Sequence, residues 1–194
     1  AQDPAGAKIH YYTGRYMTCW KHPEWIAHLE QLVCAAINAG ADGVFFDNPW
    51  YGGQPLNLGG LWLGSAGCYC PRCRASYQLD TGLPIPSTFY VIKDEQAAYL
   101  RWRAAQATAL LRHLADLARQ LRPDIAISIN DFDAVMRPSY LVYGIDLPAL
   151  ASIQDVIMIE DYGLPRYQFD KRIHWVNNVL TLHTAAALLI LARS

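Results

Sequence analysis

Asp42-Gly43-Val44-Phe45-Phe46-Asp47-Asn48-Pro49 sets a short unbroken run of apolar and small residues against a carboxylate, an amide and a proline. A strand with one wet face alternates apolar and polar residues. A run that is apolar on both faces belongs to a strand covered on both sides, which is the signature of a parallel sheet between layers of helix. The closing Asn48-Pro49 stops the strand and opens a loop. Just upstream, Trp25, Ile26, Leu29, Leu32, Val33, Ala36 and Ile37 recur at intervals of three and four, with Pro23 at the start and Gly40 just past the end. That spacing predicts an amphipathic helix leading into the strand.

Further out, Ile9 to Tyr12 reads as a short buried strand ended by Thr13-Gly14, and the helical period returns from about Ile92 to Leu121, where Arg122-Pro123 ends it. Ile125 to Ile129 and Val156 to Ile159 read as two more strands, closed by Asn130-Asp131 and by Glu160-Asp161-Tyr162-Gly163. A last helix is expected from about Asp170 into the Leu180s. Strands alternating with helices demand a mostly parallel α/β sheet. Three of the strands end in acids or amides, the pattern of a (β/α)8 TIM barrel, whose strand ends converge on one pocket. No glycine-rich phosphate turn follows any strand, so the dinucleotide-binding alternative loses its best support. A closed barrel needs eight strands and about 250 residues. Four strands in 194 residues therefore predict an incomplete barrel, a single domain over 1–194 with a long aromatic, Cys-rich loop at 48–90.

Sixteen Lys and Arg against seventeen Asp and Glu leave a net charge of -1, with no basic cluster to hold nucleic acid. No apolar stretch approaches the roughly 20 residues of a membrane span. The beginning Ala1-Gln2-Asp3-Pro4 lacks the order of a signal peptide, so a cytoplasmic location is favoured. Half a barrel leaves sheet edges open, so partner copies in a homo-oligomer, or flanking sequence, are expected to cover them.

The expected chemistry lies at the strand ends. Cleavage of an O-glycosidic bond needs two carboxyl groups across the bond. Asp47 stands where it would face the pocket as nucleophile or general base, although an Asp in that position also serves as a simple turn cap. Glu160 is the matching general acid, or else one half of an ion pair with an arginine such as Arg166; Asp131 and Asp161 are the substitutes. Asn48, Trp50, Tyr51, Trp62, Asn130 and Tyr162 are candidates for binding a sugar, the aromatic rings by stacking on its apolar face. Trp50, Tyr51, Trp62 and Tyr90 have a blander reading too, as the small core that holds a long loop together. Cys68-Tyr69-Cys70-Pro71-Arg72-Cys73 gathers three thiols, and Cys19, on the loop after the preceding strand, is the best fourth ligand for a tetrahedral structural zinc. Unliganded, buried cysteines are the alternative. Cys34 falls inside a helix, and His10, His22 and His113 have no clustered partners.

The segment Asp42 to Asn48, followed by the Cys-x-Cys-x-x-Cys group, resembles the barrel domain of glycoside hydrolases. In particular it is similar to the β-galactosidases of glycoside hydrolase family 42 and to the uncharacterised glycosidase-like barrels related to them. The resemblance covers about residues 9 to 165 and implies that the visible strands are the third to sixth, with a structural zinc on Cys19, Cys68, Cys70 and Cys73. That family carries its acid/base Glu directly after an Asn at the end of the fourth strand, where this chain has Pro49. Its nucleophile lies on the seventh strand, and no Glu follows Glu160 here. Asp47-Asn48 looks more like the fourth-strand nucleophile of the α-galactosidase clan, whose acid/base sits on the sixth strand, where Glu160 and Asp161 are. The resemblance thus implies a carbohydrate-active hydrolase, with a non-catalytic carbohydrate-binding barrel or a zinc-dependent hydrolase as the alternatives.

Overall fold

The computed structural model describes residues 1–12, 14–49, 51, 56–58, 61–63, 66–89, 93–132, 143–160, 166–167 and 173–174; at 11–12, 56–58, 61–63, 132, 159–160, 166–167 and 173–174 the backbone alone is described. Among the described residues nine strands and four helices follow in the order β1 (His10–Tyr12), β2 (Arg15–Tyr16), α1 (Pro23–Asn38), β3 (Gly43–Phe46), β4 (Leu56–Leu58), β5 (Leu61–Leu63), α2 (Pro71–Thr81), α3 (Asp94–Leu121), β6 (Ala126–Phe132), α4 (Leu147–Ala151), β7 (Val156–Glu160), β8 (Arg166–Tyr167) and β9 (Ile173–His174). The organising element is a three-stranded sheet, β3-β6-β7, parallel throughout. Its register runs Phe45 to Ser128 to Val156 in one row and Phe46 to Ile129 to Ile157 in the next. The expected α/β alternation with a parallel sheet is therefore present.

Alternation along these strands sorts the side chains. Ile127 and Ile129 are wholly buried against α1, α3 and α4, in a cluster that includes Val33, Leu110, Leu111, Leu114 and Leu150. Val44 and Phe46 pack onto the same cluster. The other face differs from expectation: Phe45 is 47% exposed, Val156 58% and Met158 45%. Among the described residues only these three strands pair in parallel.

Ile9 to Tyr12 is a second departure. The expected parallel strand is a hairpin arm, β1 pairing antiparallel with β2, because Gly14 at φ 76° permits a tight reversal. The 48–90 segment holds more regular structure than a loop. β4 and β5 pair antiparallel within it, and α2 follows, with Pro71 at its first turn and Gly82 in a left-handed C-terminal cap at φ 73°. At the far end, β8 and β9 pair antiparallel where a final helix was expected to begin, since Tyr167 and Ile173 are residue types that favour extended backbone. The expected continuation of that helix, 175 onward, lies outside the described residues.

Polar contacts fix the amino-terminal ends of the strands. Arg122 reaches across from the end of α3 to Asp42 at 2.8 Å and to the carbonyl of Ala41 at 2.6 Å, tying the start of β3 to the start of β6. Asp155 accepts from the Ile127 N–H at 2.9 Å and from Arg119 at 3.1 Å, which does the same for β7.

Leu114, 2% exposed at the centre of the α3 face, tests this packing. Leu114→Ala should lower unfolding stability by about 2–5 kcal/mol through lost burial and the cavity left behind. The midpoint of urea denaturation measures it.

Candidate active site and four-cysteine centre

Parallel strands end on the same side of a sheet, so the carboxyl ends of β3, β6 and β7 bring Asp47, Asn130 and Glu160 to one edge. Asp47 directly follows β3 and is exposed. The Asn130 amide donates to its Oδ1 at 2.8 Å, and the Asn48 amide donates to its Oδ2 at 2.8 Å. Both carboxylate oxygens are thereby oriented by neutral donors. Asn48 adopts the left-handed region at φ 50°, which asparagine tolerates better than most residues, and the turn carries the chain into buried Pro49. Three of the residues singled out in the sequence, Asp47, Asn48 and Asn130, thus form one constellation.

Asp131 is placed elsewhere. It follows the alternation of Ile127 and Ile129 onto the helix-covered face, is 0% exposed, and accepts from the Gln154 amide at 2.5 Å. Gln154 in turn accepts from the Ile129 N–H at 3.0 Å. Burial pushes the Asp131 carboxyl up to about 7, the Gln154 hydrogen bond opposing in part. Asp131, expected as a substitute catalytic carboxylate, thus lies apart from Asp47: adjacent strand residues point to opposite faces, and Asn130 holds the position beside Asp47. Glu160 ends β7 opposite Phe132, and its side chain lies outside the described residues, as do Asp161, Tyr162, Trp50, Tyr90 and the side chain of Trp62.

Tyr51 also departs from the sugar-stacking role. It is 1% exposed, with its ring edge-on to Trp20 at 5.9 Å and to Trp102 at 6.2 Å. A ring enclosed in this way offers no face to a sugar. It belongs to a second, aromatic core with Tyr69, Tyr77, Phe89, Tyr99 and Trp102, which is the role of holding the loop together.

That core encloses the four cysteines. Cys19 lies in the turn after β2, Cys68 and Cys70 lead into α2, and Cys73 sits in its first turn. Their sulfurs all lie within 4.8 Å of one another, with Cys19 to Cys70 at 3.6 Å and Cys19 to Cys73 at 3.5 Å. No pair is bonded. Sulfurs placed tetrahedrally about an ion at about 2.3 Å stand about 3.8 Å apart, so the donor set and its spacing fit a thiophilic metal ion. Their protonation is shared. Hydrogen bonds from Cys19 and then Cys73 pull Cys68 below the ordinary thiol range. Cys19 is pushed up to about 12, chiefly by its hydrogen bond to Cys68, and Cys73 is pushed up by its bonds to Cys19 and Cys68 and by burial. One thiolate thus discourages its neighbours from ionising, a conflict that a bound cation removes. Cys34, half-buried in α1, takes no part.

An apolar cavity of about 590 Å³ lies beside this constellation, lined by Tyr16, Trp20, Trp25 and Leu29 and by β3 through Asp47, Asn48 and Pro49. No helix among the described residues is long and apolar enough to cross a membrane.

No protein-family model and no curated protein sequence matches the chain. Solved structures do resemble it. The glycoside hydrolase domain of PgaB (BpsB) from Bordetella bronchiseptica superposes with a TM-score of 0.57 at 17% identity, over 81% of this chain and 46% of that one. A β-galactosidase from Bacillus circulans sp. alkalophilus gives 0.56 at 13% identity, over 95% and 30% of the respective chains. Another from Rahnella sp. R3 gives 0.51 at 13%, over 83% and 27%. The chain therefore has a glycosidase-like α/β fold and spans less than half the length of these structures.

The buried Asp131 predicts a pH dependence. With its folded value near 7 and its ordinary value at 3.8, the folded chain binds the extra proton between them. The stability associated with that proton is fully present below about pH 4 and is lost as pH rises through about 7. Asp131→Asn should flatten the fall in thermal midpoint between pH 4 and 8; an unaltered slope would place the proton on another group.

Proposed function

We propose that the chain is part of a (β/α)8-barrel glycoside hydrolase, contributing about its third to sixth strands and cleaving O-glycosidic bonds of a carbohydrate substrate. Asp47 carries the reading. It is an exposed carboxylate at the carboxyl end of a parallel strand, oriented through both oxygens, in a fold similar to that of known glycoside hydrolases. Asp47 acts as the nucleophile, and Glu160, with Asp161 as its substitute, acts as the general acid and base. Asn48 and Asn130 orient Asp47 and bind sugar hydroxyls, and Trp50, Trp62 and Tyr162 supply stacking faces. In a retaining enzyme the two carboxyl groups stand about 5 to 5.5 Å apart, in an inverting one about 6.5 to 9.5 Å.

The same reading assigns zinc to Cys19, Cys68, Cys70 and Cys73. Four thiolates fill a tetrahedral shell and leave no open position for substrate, so the ion serves to fold the corner rather than to activate water, which counts against a zinc-dependent hydrolase. Pro49 favours a second reading, a carbohydrate-binding barrel without turnover. It is buried directly after Asn48, where the family 42 pattern has its acid/base Glu.

Two measurements separate these readings. Asp47→Asn should lower hydrolysis of an activated aryl glycoside by about 10²–10⁴-fold or more with the near-ultraviolet dichroism retained; undiminished turnover removes Asp47 from the chemistry, and sugar binding in calorimetry without any turnover selects the second reading. A strong chelator should release one zinc per chain and expose the 66–89 segment to proteolysis, whereas loss of activity with that segment still protected would make the ion catalytic.

A further inference from the structure

The loop that follows Asp47 runs directly into the wall of the four-cysteine centre. From the end of β3 the chain passes Asp47, left-handed Asn48 and buried Pro49 to Tyr51, whose hydroxyl lies 3.2 Å from Cys73 Sγ. Both groups are enclosed, Tyr51 at 1% and Cys73 at 0% exposure. The Tyr51 backbone N–H donates to the Tyr143 carbonyl at 3.2 Å, so this residue also touches the segment that follows β6. The stretch from Asp47 to Tyr51 is thus anchored at one end by the sheet and at the other by a cysteine sulfur.

We infer that Tyr51 is a positioning residue: its hydroxyl donates to the metal-bound Cys73 thiolate and so lets metal occupancy set the placement of the Asp47 turn. A neutral thiol is a weak acceptor, whereas a thiolate accepts a charge-assisted hydrogen bond of roughly twice the strength. As a metal ligand Cys73 would be a thiolate, and the enclosed Tyr51 hydroxyl at 3.2 Å is placed to donate to it. Coupling of this kind is reciprocal, so the same hydroxyl strengthens metal binding. Hydrogen bonds from outside the ligand set are commonly worth 10–100-fold in metal affinity.

This inference rests on the four-cysteine metal reading, and its test keeps the two apart. The wild-type chain and Tyr51→Phe are titrated with cobalt(II) alone, followed by competition with zinc(II). The phenylalanine keeps the ring in its aromatic core and removes only the donor. The variant should bind 10–100-fold more weakly, and its thiolate-to-cobalt charge-transfer band should shift, a change that altered packing alone does not produce. In the wild type, zinc should slow amide hydrogen exchange across residues 47–51, and the variant should lose most of that gain. A variant with wild-type affinity and band position overturns the inference while leaving the metal site standing. Wild-type exchange over 47–51 that is indifferent to zinc overturns it without recourse to any variant. A wild type that takes up no cobalt overturns the metal site and this inference together.

Discussion

Parallel pairing of β3, β6 and β7 is the constraint on which the rest depends. An antiparallel arrangement would send successive strand ends to opposite edges, and Asp47 and Asn130 would not meet. In parallel, every carboxyl end arrives on one side, and the helices that return the chain lie against the sheet. Burial of Ile127 and Ile129 then fixes the register, because a slip of one residue would turn them to solvent and carry Asn130 away from Asp47. The contact between Asp47 and Asn130 and the core are consequences of one alternation.

The four-cysteine corner solves a different problem. The segment between β3 and α3 is too long to be held by the sheet, and α2 has no strongly apolar face of its own. An enclosed set of aromatic rings supplies the core, and the cysteines draw the turn after β2, the approach to α2 and the first turn of α2 to within a few ångströms. Tyr51 joins that corner to the strand end through a single side chain.

The elements with strong periodicity were legible in the sequence. The repeat from Trp25 to Ile37 falls within α1, Asp94–Leu121 matches the expected long helix nearly to its ends, and the clustering of Cys19 with Cys68, Cys70 and Cys73 was readable from spacing and strand order. What escaped has physical causes. A four-residue apolar run shows that a strand exists, but does not show how many neighbours cover it, so the wet face of Phe45 was read as buried. α2 was hidden because its apolar pattern is weak, although Pro71 and Gly82 bracket it and were the available signal. In the sequence Asn130 and Asp131 are both strand-end polar residues, yet alternation separates them, and only the helix-packed burial of Ile127 and Ile129 tells which of the two shares a face with Asp47. In the sequence Tyr51 is one of several loop aromatics, and its contact with Cys73 arises only in the folded chain. The partner of Asp47 in any two-carboxylate chemistry rests on the end of β7 and was a matter of strand order alone.

The uncovered side of the sheet, with Phe45, Val156 and Met158 at its surface, bears on the thermodynamics of unfolding. Apolar area that already meets water in the native state adds nothing to the heat capacity when the chain melts. The dome of stability against temperature is therefore broader and flatter than that of a fully enclosed α/β domain of the same length. Whatever comes to lie over those three side chains sharpens that curve, and association itself carries a negative heat-capacity change as its signature.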